Sequence, residues 1–113
     1  MQSNVLSLST GSEIAAAALQ VIRRNGAVVA FDADKIAVAL TKAFLAVEGS
    51  QSAVSSRVRD VVSHLTQTVV RSLTRRLPDG GTVHIEDIQD QVELALMRSG
   101  EHDVARAYVL YRE

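Results

Sequence analysis

Asn25-Gly26 stands between two short β-prone runs, Val21-Ile22 and Val28-Val29-Ala30-Phe31. That dipeptide is the strongest short-range hairpin signal, because a two-residue type I′ turn needs φ > 0 at both central positions and Asn and Gly tolerate it best. The spacing predicts Arg24 opposite Ala27, Arg23 opposite Val28, Ile22 opposite Val29 and Val21 opposite Ala30. A hairpin accounts for the Asn-Gly. It does not account for Arg23 and Arg24 beside the turn, or for Lys35 shortly after it.

The rest of the chain reads as helix. Asp32 is placed to cap a first helix, since its carboxylate accepts from free first-turn amides; Ile36, Leu40, Ala43, Phe44 and Val47 recur at helical spacing up to Gly49. A Ser/Gln-rich loop, EGSQSAVSS, follows. The second helix, about 55–76, carries an apolar stripe of Val58, Val62, Leu65, Val69 and Leu73, widened by Val61 and Val70, opposite Arg57, Asp60, His64, Thr68, Arg71 and Arg75. LPDGG breaks it, and Thr82-Val83-His84 offers a third strand. A third helix from Ile85 or Glu86 turns Ile88, Val92, Ala95 and Leu96 inward and places Glu86, Asp87 and Asp90 where the helix dipole favours acids. A fourth, HDVARAYVLYRE, packs Val104, Ala107, Tyr108 and Tyr111. The expected fold is α+β and mostly helical: an N-terminal β-hairpin, extended by that short strand, capping a four-helix bundle.

At 113 residues the chain fits one domain, expected over 13–113 behind a flexible leader at 1–12. The leader has no basic stretch and no long apolar run, so it reads as neither a secretory signal nor a membrane span. The alanine-rich SEIAAAALQ is expected to add a short helical turn before the hairpin. The pattern stops without a C-cap, as in a piece cut from a longer protein. Cysteine is absent, which excludes disulfides, thiolate metal sites and a thiol nucleophile and fits a cytoplasmic location.

Charge is unevenly spread although the net is only −1. Residues 1–50 balance at four acids against four bases, residues 51–78 hold five arginines against Asp60, and residues 79–113 hold eight acids against three arginines. The basic face of residues 57–76 is a candidate nucleic-acid surface, but it includes Asp60 and lacks aromatic residues for base stacking. A solvated helix face is the better account.

Catalysis finds little support. His64, His84 and His102 are dispersed outside any metal-spacing motif, and no serine lies in a nucleophile elbow. There is no GxxxxGK[ST] phosphate loop. Polyphosphate is also held by clustered Arg and Lys near a helix start, however, and Arg23, Arg24 and Lys35 converge from two rigid elements. Ordinary hairpin-tip charges remain the alternative. Under strict pairing up to the turn the two arginines point to opposite faces, so either the ladder frays or only one reaches phosphate directly.

VIRRNG, four residues, FDADKI, and then VHIEDIQDQVELALM and ARAYVLYR together resemble the ATP-cone, a regulatory domain of ribonucleotide reductase large subunits. The resemblance spans about residues 19–113. ATP-cones also occur on anaerobic reductases and on a repressor of reductase genes. That repressor carries a cysteine-rich zinc ribbon, which points here to the class I large (catalytic) subunit as parent. The resemblance implies allosteric sensing of adenine nucleotides, ATP activating and dATP inhibiting with Mg2+, and control of overall activity and oligomeric state. Its implied partners are adenine nucleotides, the remainder of the large subunit and other subunits in a homo-oligomer, with no nucleic acid and no membrane. Catalysis, by the same resemblance, belongs to a separate barrel.

The family's motifs imply phosphate contacts for Arg23, Arg24 and Lys35. They imply a base and sugar pocket at Val29, Ile36, His84, Ile85 and Gln89. His64, Arg98 and Arg106 are candidates for the second nucleotide that some cones hold. Arg23 stands where the family commonly has lysine, Val29 or Ala30 where it often has glutamate, and Ile85 where a small hydroxyl residue is frequent. The competing readings are a small nucleic-acid-binding helical domain and a plain helical interaction module.

Overall fold

Strand β1 (Leu19–Ile22) lies between β2 (Val28–Ala30), to which it is antiparallel, and β3 (Gly81–His84), to which it is parallel. The computed structural model describes residues 16–112. The leader and the start of the alanine-rich stretch lie outside them. Ala16 and Ala17 are helical, while Leu19 and Gln20, expected in that turn, belong to β1.

The hairpin forms, but its register differs by one residue from the sequence expectation. Val21 faces Val29 and Ile22 faces Val28. The loop is longer than a type I′ turn: Gly26 N–H donates to Arg23 O and Arg23 N–H to Ala27 O, both at 2.8 Å. Gly26 takes φ +87°, and no other residue type among those described has positive φ. Asn25 therefore does not enter the left-handed region. Its Oδ1 instead accepts from Ala27 N–H at 2.9 Å. This is a three-residue loop closed by a glycine bulge, the next commonest hairpin connection. Strand side chains alternate, so a one-residue slip exchanges faces. Val29 thereby joins Val21 on the inner face, and Val83 pairs with Val21 from the other side.

Helix α1 (Ala33–Glu48) begins where Asp32 Oδ1 accepts from Asp34 N–H at 3.0 Å and ends at Gly49, φ +95°. It buries the expected Ile36, Leu40, Ala43 and Phe44. Val47 shares the face of Leu40 but, expected inside, is 41% exposed. The expected Ser/Gln loop is a 3-10 helix, Ser50–Val54. Helix α2 (Ser56–Arg76), capped by Ser55, buries the whole predicted stripe, and Arg57 at its start pairs with Glu48 at the end of α1. Helices α3 (Ile85–Arg98) and α4 (His102–Tyr111) complete the bundle. On α4, Ala105 is buried together with Val104 and Tyr108, while Tyr111, expected inside, is 42% exposed. α1 packs on α2 and α4, and α3 packs on α2 and α4. Phe44, Leu19, Leu40, Leu73 and Leu96 are the largest fully buried side chains among the described residues. None of the described helices is long and apolar enough to cross a membrane.

Backbone crowding at the entry to β3 tolerates only glycine. Gly80 has φ +87°, and a Cβ there would stand 2.4 Å from Ala18 Cβ and 2.7 Å from Ala18 O. Gly26 has the same φ, but a Cβ there would meet nothing within 4 Å. Gly80→Ala is expected to destabilise by about 2–3 kcal/mol, and Gly26→Ala by about 1 kcal/mol. Urea unfolding of both variants checks the order; equal losses would contradict it.

Candidate functional site

Parallel pairing sets the C-terminal ends of β1 and β3 side by side, with Ile22 opposite His84. The residues just beyond those ends, Arg23 and Arg24 of the turn and Ile85 of α3, consequently meet at one edge of the sheet. A cavity of about 390 Å³ opens there. Its size suits a small ligand, for which about 300–1,000 Å³ is usual.

The walls come from five elements. Val21 and Val29 supply the sheet side, Phe31, Ile36 and Ala39 the α1 side, Ile85, Ile88 and Gln89 the α3 side, and Tyr108, Tyr111 and Arg112 the end of α4. Arg23, Arg24, Asn25, Ala30, Asp32 and Lys35 complete the lining. An apolar interior thus carries a basic rim. An adjoining groove is bordered by Asp34, Val38, Lys42 and Leu110 and shares Asp32, Lys35, Ala39 and Tyr111 with the cavity.

Of the residues singled out in the sequence, Arg23, Arg24, Lys35, Val29, Ile36, Ile85 and Gln89 line this cavity. His84 does not: it occupies the N-cap position of α3, exposed and without a side-chain capping bond. His64 on α2, Arg98 at the end of α3 and Arg106 on α4 are exposed and lie outside the lining. The opposite-face problem of the two arginines disappears with the corrected register. Arg23 continues the inward alternation of Leu19 and Val21, and Arg24 sits in the turn, outside the ladder.

Tyr108, Tyr111, Arg112, Phe31 and Ile88 line the cavity without having been singled out as site residues. A signal existed in ARAYVLYR, where Tyr108 and Arg112 are one helical turn apart. A tyrosine at helical spacing also reads as core, and Tyr108 is core as well, only 4% exposed.

The basic rim is partly neutralised. Arg24 Nε donates to Glu86 Oε2 at 3.2 Å and its Nη2 to Gln89 Oε1 at 3.5 Å. Arg112 donates to Glu93 Oε1 at 2.8 Å and to Asp90 Oδ1 at 2.9 Å. Burial alone would lower the Arg112 pKa, but bonding to the two carboxylates raises it, so the guanidinium stays charged. Arg23 and Lys35 make no side-chain hydrogen bond or salt bridge among the described residues. Their charges are available to an anion.

Burial pushes the Tyr108 phenol up to about 12; Arg112 opposes this, and Glu93 and Asp90 add to it. Between pH 10.0, the ordinary phenol value, and about 12, the folded chain holds a proton that the unfolded chain has lost. Stability is therefore fully present below that window and falls as pH rises through it. Tyr108→Phe is expected to remove up to about 2–3 kcal/mol of that alkaline loss. Urea midpoints compared near pH 9 and near pH 11.5 check this, and an identical fall in both proteins would contradict it.

Comparison with known proteins identifies the family. The family model described as "ATP cone domain" matches residues 19–113. The chain is 43% identical over 96 residues to ribonucleoside-diphosphate reductase subunit alpha of Chlamydia trachomatis, covering 84% of this chain and 9% of that protein. It is 36% identical over 99 residues to the vitamin B12-dependent ribonucleoside-diphosphate reductase of Thermoplasma acidophilum, covering 83% of this chain and 12% of that protein. A second B12-dependent reductase, from Mycobacterium tuberculosis, is 35% identical over 94 residues. The chain spans about a tenth of the length of these curated relatives. The chain belongs to the ATP-cone domain family.

Proposed function

We propose that this cavity binds adenine nucleotides as allosteric effectors of a ribonucleoside-diphosphate reductase, ATP activating and dATP inhibiting. The observation that carries the reading is the meeting of Arg23, Arg24 and Lys35 on one apolar-walled cavity of about 390 Å³. Two arginines offer planar forks that match phosphate oxygens in pairs, and a lysine adds a compact charge. Val29 and Ile36, with Phe31, supply apolar wall for the base and sugar. Gln89, held near the mouth by Arg24, offers the polar contact on the same side.

Mg2+ fits this donor set only as a companion of the nucleotide. Among the described residues no group of three or more His, Cys, Asp or Glu is placed to hold a metal ion. The one carboxylate in the lining, Asp32, accepts from Asp34 N–H as a helix cap. Magnesium is commonly carried on phosphates with most of its waters retained, and it would there offset phosphate charge.

In this reading the chain senses and the catalytic barrel, elsewhere in a longer cytoplasmic protein, reacts. ATP and dATP differ by one oxygen, so the 2′-hydroxyl must alter how sugar and triphosphate seat. That difference biases which outer helix surface is offered to neighbouring subunits, because an effector acts only through unequal affinity for two states. In the intact reductase the assembly mass should differ between ATP and dATP; a mass unchanged by the exchange would contradict the oligomer control.

Calorimetric titration of the chain with ATP, dATP and a short DNA tests the binding itself. Adenine nucleotides should bind, and Arg24→Ala or Lys35→Ala should weaken them about 10–100-fold, the usual cost of one charged hydrogen bond. Salt-sensitive DNA binding lost on neutralising Arg71 and Arg75, with no response to nucleotide, would overturn the proposal.

A further inference from the structure

The cations of the rim are not equivalent. Arg23 and Lys35 are unpaired among the described residues, while Arg112 is clamped between two carboxylates and its side chain is 18% exposed. Arg24 is intermediate. Its guanidinium reaches from the hairpin turn to Glu86 and Gln89 at the start of α3. Both side chains of the Arg24–Glu86 pair are about half exposed, at 51% and 49%. Such a pair is worth little to folding and is easily exchanged, since water screens it. Glu86 itself is not part of the cavity lining, so its carboxylate holds Arg24 from outside the mouth.

We infer that Glu86 is a built-in counter-anion, which holds Arg24 in the ligand-free site and yields it to a ligand phosphate. The inference rests on the nucleotide reading above. A phosphate presents the same paired oxygens to Arg24 that the carboxylate does, so the guanidinium exchanges one anion for another. Glu86 remains within a few ångströms after the exchange, and its charge opposes the bound phosphates. The opposition grows with ligand charge, so Glu86 lowers affinity most for triphosphate and least for monophosphate. The exchange also cuts the only side-chain salt bridge between the hairpin turn and α3 among the described residues.

Asp87 provides the control. It carries the same charge one residue along the same helix turn and makes no side-chain bond among the described residues. The experiment is calorimetric binding of ATP, ADP and AMP to the wild-type chain, Glu86→Gln, Asp87→Asn and Arg24→Ala with and without Glu86→Gln. Glu86→Gln should tighten ATP about 3–10-fold, ADP less and AMP least, while Asp87→Asn changes ATP by under about twofold. The gain should shrink in the Arg24→Ala background, where Glu86 no longer competes for a guanidinium and only its repulsion of the phosphates is left. Thermal melts of each variant establish that the fold is retained. A wild-type chain that binds no ATP would overturn the nucleotide reading and this inference with it. A wild-type chain that binds ATP, with Glu86→Gln no tighter or indistinguishable from Asp87→Asn, would overturn the counter-anion alone.

Discussion

The hydrogen bond from Gly26 N–H to Arg23 O decides which way the hairpin's side chains point. It closes a three-residue loop, so Val21 faces Val29 and both look toward the helices. A two-residue loop would have turned Val29 to the other face and left the sheet side of the cavity without it. The same bond places Arg24 in the turn, free of the strict alternation that binds Arg23. Two consecutive arginines, which a regular strand would send apart, line one cavity as a result.

Parallel pairing of β1 with β3 supplies the second half of the arrangement. It sets the turn beside the first residues of α3, which follows β3 without a linker. The pairing depends on a close backbone approach, with Gly81 N–H donating to Ala18 O at 3.3 Å and no room for a side chain at Gly80. The acidic last third of the chain then acquires a specific purpose. Glu86 engages Arg24, and Asp90 and Glu93 engage Arg112. The acids of α3 thus manage the charge of a basic rim in addition to complementing the helix dipole.

The helices were legible because their apolar residues repeat with the helical period and their ends carry chemistry of their own. Asp32 and Gly49 do in space what a capping side chain, and the lack of one, imply. Arg23, Arg24 and Lys35 stood out in the sequence as a cluster around one turn, and they do share the lining of one cavity. Loop length was not. Asn-Gly serves a two-residue turn and a three-residue bulge equally well, and only the surrounding packing chooses between them. Tyr108 and Arg112 were hidden for a different reason: a tyrosine in an apolar stripe looks like core whether or not a cavity lies against it. His84, which the family resemblance placed at the pocket, lies at the cap of α3 and outside the lining.

On the proposed function, one cavity, bounded by the hairpin turn, α1, α3 and the end of α4, receives the nucleotide. An amide-resolved NMR titration of the chain with ATP tests it most directly. Shifts should concentrate at Arg23 to Gly26, Lys35 and Gln89 and around Tyr108, with His64, Arg71 and Arg75 on α2 unmoved. Shifts confined to the basic face of α2, with the hairpin turn unaffected, would contradict it.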